Sequence, residues 1–157
     1  MTATRFTVGP AGAADVPALV TLLGELFSIE QDFTPDPERQ RAGLGQLLAD
    51  PDRAAVLVAR DGAAQVIAMV TAQLVVSTAE GAPSAWIEDM VVAKAHRRGG
   101  VGRALIDAAL AWARQKGATR AQLLVDLDNV PALACYERLG WAATRLAARR
   151  VTLSRPG

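Results

Sequence analysis

With 157 residues, 51% of them hydrophobic, the chain is long enough to bury one core and too short to need a second domain. Its 17 Lys and Arg against 16 Asp and Glu leave a formal charge of +1, and the arginines are dispersed, which argues against nucleic acid or an anionic membrane surface as a partner. Met1-Thr2-Ala3-Thr4-Arg5 has no apolar signal core, no run of about 18 or more apolar residues is present, and the single Cys135 cannot form an internal disulfide, so a cytoplasmic protein is expected.

In chain order, Arg5 to Gly9 alternates weakly and reads as a first strand. Between Ala13 and Ile29, Val16, Leu19, Val20, Leu22, Leu23, Leu26 and Phe27 recur at helical spacing, with Asp15 in the first turn. Thr34-Pro35-Asp36-Pro37 breaks the chain before a second helix over 38–49. Ala54 to Arg60, Gln65 to Val76 and Ser84 to Val92 are β-rich runs. The turns Asp61-Gly62 and Glu80-Gly81-Ala82-Pro83 separate them, predicting an antiparallel meander. Gly102 to Lys116 is helical, with Leu105, Ala108 and Trp112 on one face and Gly117 as its stop. Ala121 to Asp126 reads as a short strand, Pro131 to Leu139 as a helix opened by its proline, and 142–153 as a closing pair of strands. The strand, helix, strand order predicts parallel pairing of 85–92 with 121–126, the helix 102–116 crossing over between them.

The run Ala95-His96-Arg97-Arg98-Gly99-Gly100-Val101-Gly102-Arg103-Ala104 joins a strand to that helix. Its glycines let backbone approach a ligand closely, and the N–H groups of the first helical turn point outward without partners. With Arg97, Arg98 and Arg103 added, the pattern is an anion cradle suited to phosphate or pyrophosphate. A P-loop needs a Gly-Lys-Ser/Thr that the chain lacks. A dinucleotide fingerprint needs a third glycine where Leu105 stands.

The same run resembles the Arg/Gln-x-x-Gly-x-Gly/Ala loop of the GNAT superfamily of N-acetyltransferases, here Arg97-Arg98-Gly99-Gly100-Val101-Gly102. Downstream, Asn129-Val130-Pro131-Ala132-Leu133-Ala134-Cys135-Tyr136-Glu137-Arg138-Leu139-Gly140-Trp141 is similar to the N-x-x-A-x-x-x-Y-E-x-x-G-[FW] segment that closes the cofactor site in that superfamily. Trp86-Ile87-Glu88-Asp89-Met90-Val91-Val92 resembles the strand before the loop. The resemblance implies an α/β fold: a single GNAT-like domain over 1–157 with a mixed central sheet of about six to seven strands flanked by about four helices. Acceptor-side helices span about 13–49, and the cofactor-binding core about 85–141.

It also implies acetyl-CoA as co-substrate and no metal, with direct acetyl transfer to a primary amine. The acceptor is a small molecule (polyamine, aminoglycoside or amino acid) in preference to a protein. Backbone N–H groups from Arg98, Gly99, Gly100, Val101, Gly102, Arg103 and Ala104 are expected to hold the pyrophosphate, beside Arg97, with side chains at Gly100 or Gly102 excluded by the phosphates. Backbone of Met90, Val91 and Val92 is expected to pair with the pantetheine arm as an added strand, with an N–H near Met90 or Val91 serving a developing oxyanion.

An alkyl ammonium has no lone pair, so a base or water relay must remove a proton. Glu88 is the first candidate; Asp89 faces the other side of an ideal strand and is the second, unless a bulge exchanges them. Tyr136 matches the family tyrosine placed to protonate the departing sulfur, and Asn129 either bonds the cofactor arm or caps the following helix. Phe27, Glu30, Gln31, Asp32 and Phe33 fall where the family builds an acceptor wall. Glu30, Asp32, Glu88 and Asp89 would together favour a cation, whereas Arg145, Arg149 and Arg150 would suit a carboxylate-bearing acceptor. Cys135 is expected as a buried small hydrophobe and His96 as a solvent or phosphate contact. A non-catalytic acyl-CoA-binding module on the same fold is the alternative function, and a homodimer is the expected assembly.

Overall fold

The structure, a computed structural model, describes residues 5–156; Met1 to Thr4, from the stretch read for a signal core, and Gly157 lie outside the described residues. Residues up to Leu124 form one unit and those from Val125 a second. In the first unit the strands β1 (Thr7–Pro10), β2 (Ala54–Arg60), β3 (Val66–Ser77), β4 (Ala82–Val92) and β5 (Arg120–Leu123) form one sheet in the order β1-β2-β3-β4-β5. The first four are antiparallel neighbours, and β4 pairs with β5 in parallel. That parallel step requires the crossover that α3 (Val101–Gln115) supplies.

Helices α1 (Val16–Ile29) and α2 (Pro37–Leu48) precede the meander. Asp36 starts α2, its Oδ1 accepting from the Arg39 N–H at 3.1 Å with Pro37 in the first turn. Buried Gln40 ties the two helices together: its Nε2 donates to the Val20 carbonyl at 2.9 Å and its Oε1 accepts from the Asp36 N–H at 2.9 Å. Leu19, Val20, Leu22 and Leu23 of α1 and Leu44 of α2 bury against Val56, Val58, Met69 and Val91 of the sheet. Alternation sends Leu57, Ala59, Ala68 and Val70 to the opposite face, where α3 packs.

The buried stripe of α3 is Val101, Leu105, Ile106, Ala109 and Ala113, so the face expected from Leu105, Ala108 and Trp112 is rotated. Positions 101, 105, 109 and 113 repeat every fourth residue, and small alanines there let the helix lie close on the sheet, leaving Ala108 and Trp112 half-buried at its flank. Gly117, at φ +84°, follows the last turn as expected. Among the described residues no helix is long and apolar enough to cross a membrane.

In the second unit α4 (Val130–Arg138) is capped by Asn129, whose Oδ1 accepts from the Ala132 N–H at 3.2 Å, and ends before Gly140 at φ +89°. Among the described residues no strand forms over 142–153, where a closing pair was expected, and the sheet has five strands in place of about six to seven. Leu146, Val151 and Leu153 in this segment stand exposed, so the apolar pattern there is not used to bury a sheet face. Cys135, expected to be buried, is exposed on α4, a helix with no fully buried residue.

Candidate active site

The cradle loop is built at the end of β4. A single helical turn at Lys94–His96 is followed by two left-handed residues, Arg98 at φ +69° and Gly100 at φ +79°, which turn the chain into α3. Gly100 is the N-cap of α3 and has no side chain to cap it. The N–H groups of Val101, Gly102 and Arg103 therefore have no partner within the helix, at its positive end. Ala104 is different: its N–H donates to the Gly100 carbonyl at 3.1 Å, so it closes the first helical turn and is not a free cradle donor.

The two central glycines serve separate needs. Gly100 has open space around a virtual Cβ, and its requirement is the left-handed φ. A Cβ at Gly102 would approach Met90 Cε to 3.1 Å and Val92 Cγ2 to 3.7 Å. Gly102 therefore permits close packing of α3 on β4, since a Cβ there would press on Met90.

Pairing of β4 with β5 ends at Ile87↔Leu123, and beyond it no strand among the described residues pairs with that edge of β4. On the other edge the Ala93 N–H donates to the Ile67 carbonyl at 2.8 Å, in register with Met69↔Val91 two residues back. Ladder alternation then directs the Val91 backbone to β3 and turns that of Val92 to the open edge. The Val92 carbonyl there accepts from Arg97 Nε at 3.0 Å, which folds the loop arginine back on the strand. The open edge thus belongs to Val92 and, on the same alternation, Met90; Val91 is committed to the sheet.

One irregularity decides which acidic residue faces the interior. The register of β3 and β4 shifts between Met69↔Val91 and Thr71↔Glu88, so Asp89 and Met90 together oppose Val70. This is a β-bulge, and Asp89 takes φ +52°, uncommon for a residue with a side chain. Glu88 remains exposed. Asp89 instead lines a cavity of about 600 Å³ with Leu23 and Phe27 of α1, Asp32, Phe33 and Asp36 of the following loop, Arg39 of α2 and Gln73 of β3.

Burial, first, and the neighbouring Glu88 charge, second, push the Asp89 carboxyl up to about 6, against the opposing hydrogen bond from Thr71. Phe27 and Phe33 stack at a tilt, ring centroids 5.4 Å apart. Of the expected acceptor-wall residues, the structure brings Phe27, Asp32 and Phe33 to the cavity; Glu30 and Glu88 are not among its lining residues. Asp36, Arg39 and Gln73 were not singled out from the sequence. Their contribution depends on the α1–α2 angle and on cross-strand register, which have no local signature. Arg39 Nε lies 3.3 Å from Asp36 Oδ2, and the cavity lining carries three carboxylates, Asp32, Asp36 and Asp89, against the one guanidinium of Arg39.

In the second unit Tyr136 is half-buried, its ring edge-on to Trp141 with centroids 5.9 Å apart. Burial raises its phenol above the ordinary value, which keeps it protonated at neutral pH.

Comparison with known proteins places these features in context. The family model described as the acetyltransferase (GNAT) family matches residues 17–141. The chain is 32% identical over 120 residues to an aminoglycoside N(6')-acetyltransferase type 1 of Serratia marcescens, covering 74% of this chain and 82% of that protein. It is 44% identical over 64 residues to the streptothricin acetyltransferase of Streptomyces lavendulae, an alignment that spans only 34% of that protein. In structure it superposes on the aminoglycoside antibiotic 6'-N-acetyltransferase from Acinetobacter haemolyticus with a TM-score of 0.76 at 28% identity, covering 95% of this chain and 99% of that one.

Proposed function

The chain belongs to the GNAT family of acetyltransferases, and on that premise we propose that it transfers an acetyl group from acetyl-CoA to a primary amine of a small polycationic molecule, an aminoglycoside or a polyamine. The observation that carries this reading is the bulged Asp89, turned into a cavity that also holds Asp32 and Asp36. An acidic cavity flanked by Phe27 and Phe33 attracts a cationic amine and disfavours an acceptor that carries its own carboxylate, since Arg39 is already engaged. The likeness to aminoglycoside acetyltransferases supports the same acceptor class. Amino acids, and a protein lysine still more, rank below it.

Acetyl-CoA fits the residues present. The N–H groups of Val101, Gly102 and Arg103 at the start of α3 suit its pyrophosphate, with Arg98, Gly99 and Gly100 shaping the approach and Arg97 anchored beside them. The open edge of β4 at Met90 and Val92 suits the amide groups of the pantetheine arm. When bound, the co-substrate supplies a thioester carbonyl for the amine to attack. The protein's task is then proton management. Asp89, ionised at neutral pH with a carboxyl titrating near 6, takes a proton from the acceptor ammonium, directly or through one water, and frees its lone pair. As the C–N bond forms and the C–S bond breaks, Tyr136 supplies the proton the sulfur needs; this role rests on the sequence motif around Asn129 and Tyr136. Glu88, exposed and next in sequence, acts on Asp89 through its charge.

Tyr136→Phe separates this reading from a non-catalytic acyl-CoA binder. Turnover with acetyl-CoA and neamine or spermidine is expected to fall by about 10- to 10³-fold, while the acetyl-CoA Kd measured by calorimetry stays unchanged. Wild-type protein that binds acetyl-CoA but turns over no amine, with the variant indistinguishable from it, would establish the binder instead.

A further inference from the structure

We propose that Thr71 is a positioning residue for the Asp89 carboxylate, an inference that rests on Asp89 as the base. Thr71 lies on β3 at the register break opposite the bulge, 1% exposed, in the middle of an otherwise apolar stretch of strand. Its Oγ1 donates to Asp89 Oδ2 at 3.2 Å. A hydroxyl placed in a sheet interior needs a partner, and this one is met by a carboxylate from the adjoining strand. The bulge turns the Asp89 backbone toward the cavity but does not by itself choose among the side chain's rotamers. The bond to Thr71 fixes one oxygen and leaves the other to exchange a proton with the cavity. A strand built only for packing would carry valine here, which has the same shape and no donor.

The bond also favours the ionised form, because a donated hydrogen bond is stronger to a carboxylate than to a carboxylic acid. Other charges face Asp89 from several sides: Glu88 from its own strand, Asp32 and Asp36 from the loop after α1, and Arg39, paired to Asp36, from α2. β3 contributes Thr71 and the uncharged Gln73. Burial and the Glu88 charge raise the Asp89 midpoint, and the hydrogen bond from Thr71 opposes them, which keeps a base available near neutral pH.

The test is a carbon-13 NMR titration of aspartate-carboxyl-labelled protein, with the Asp89 resonance assigned by its loss in Asp89→Asn. Thr71→Val is expected to raise the Asp89 midpoint by about one pH unit, and Thr71→Ser to restore it; Thr71→Ala serves if the valine variant does not fold. The acid limb of kcat/KM, followed by thiol release from acetyl-CoA with the better acceptor of neamine and spermidine, is expected to move by the same amount. An Asp89 midpoint that is the same in all variants overturns the positioning role of Thr71 and leaves Asp89 as base untouched. A midpoint that moves while the rate profile stays in place overturns Asp89 as base, and the role of Thr71 with it.

Discussion

Asp89→Asn is expected to lower kcat by about 10²- to 10⁴-fold, the range lost when a positioned general base is removed, while leaving the acetyl-CoA Kd within experimental error. Asparagine keeps the shape and can still accept from Thr71, so the loss isolates proton transfer. In the wild type kcat/KM should fall as pH drops through about 6, where the Asp89 carboxyl takes up its proton; in the variant that limb should vanish. Glu88→Gln is the control. It removes a negative neighbour, so it should shift the limb to lower pH and cost far less in rate. If Glu88→Gln instead shows the large loss and Asp89→Asn the small one, the bulge has been misassigned as the feature that selects the base.

The same substitution has an opposite sign for stability. The folded Asp89 titrates at about 6 against an ordinary 3.8, so folding disfavours its ionised form. The penalty is absent below the ordinary carboxylate value, grows as pH rises from about 4, and is complete above about 6. At pH 7, Asp89→Asn should therefore stabilise the protein, by about 1 to 3 kcal/mol in denaturant unfolding, and the gain should disappear in acid. A site residue that costs the fold stability and is nonetheless present is what a functional carboxylate predicts.

The second large effect is at the cradle. Gly100→Glu is expected to weaken acetyl-CoA binding by about 100-fold or more, through two separable causes. Any L-residue at φ +79° is strained by about 1 to 2 kcal/mol, and a carboxylate at the N-cap of α3 competes for the N–H groups that would receive the pyrophosphate. Gly100→Ala carries the strain without the charge and should weaken binding by no more than about tenfold. Calorimetry on the three proteins divides the two contributions. Equal affinity of Gly100→Glu and wild type would remove the loop from the binding site.

The cradle was legible in the sequence because everything that makes it is local. Glycines, arginines and the start of an amphipathic helix sit within eight residues, although only the structure shows that Arg98 and Gly100, and not Gly99, take the left-handed conformation. The meander, the crossover and the cap at Asn129 were legible for the same reason. The choice between Glu88 and Asp89 was not. Alternation along a strand places them on opposite faces but does not say which face is inward, and the bulge is a property of two strands, set where Val70 meets Asp89 and Met90. Thr71 was invisible as a site residue because only the register brings it to Asp89. Residues 142–153 show the converse failure: they read as a pair of strands in sequence, yet they form none, because strand pairing depends on a partner that a local pattern does not specify. The free edge at Met90 and Val92, and the loss of Ala104 as a donor, likewise turn on where each ladder and helix begins, which sequence places only to within a few residues.

The measurement that bears most directly on the central claim is acceptor-dependent release of free thiol from acetyl-CoA by the purified protein, with neamine, spermidine and a neutral amino acid as acceptors. Release that requires protein and acceptor, is greatest with the polycations, and falls below pH 6 is the predicted result. Thiol release favouring the amino acid would contradict the acidic acceptor site, and no release with any amine, despite tight acetyl-CoA binding, would contradict the assignment as an amine acetyltransferase.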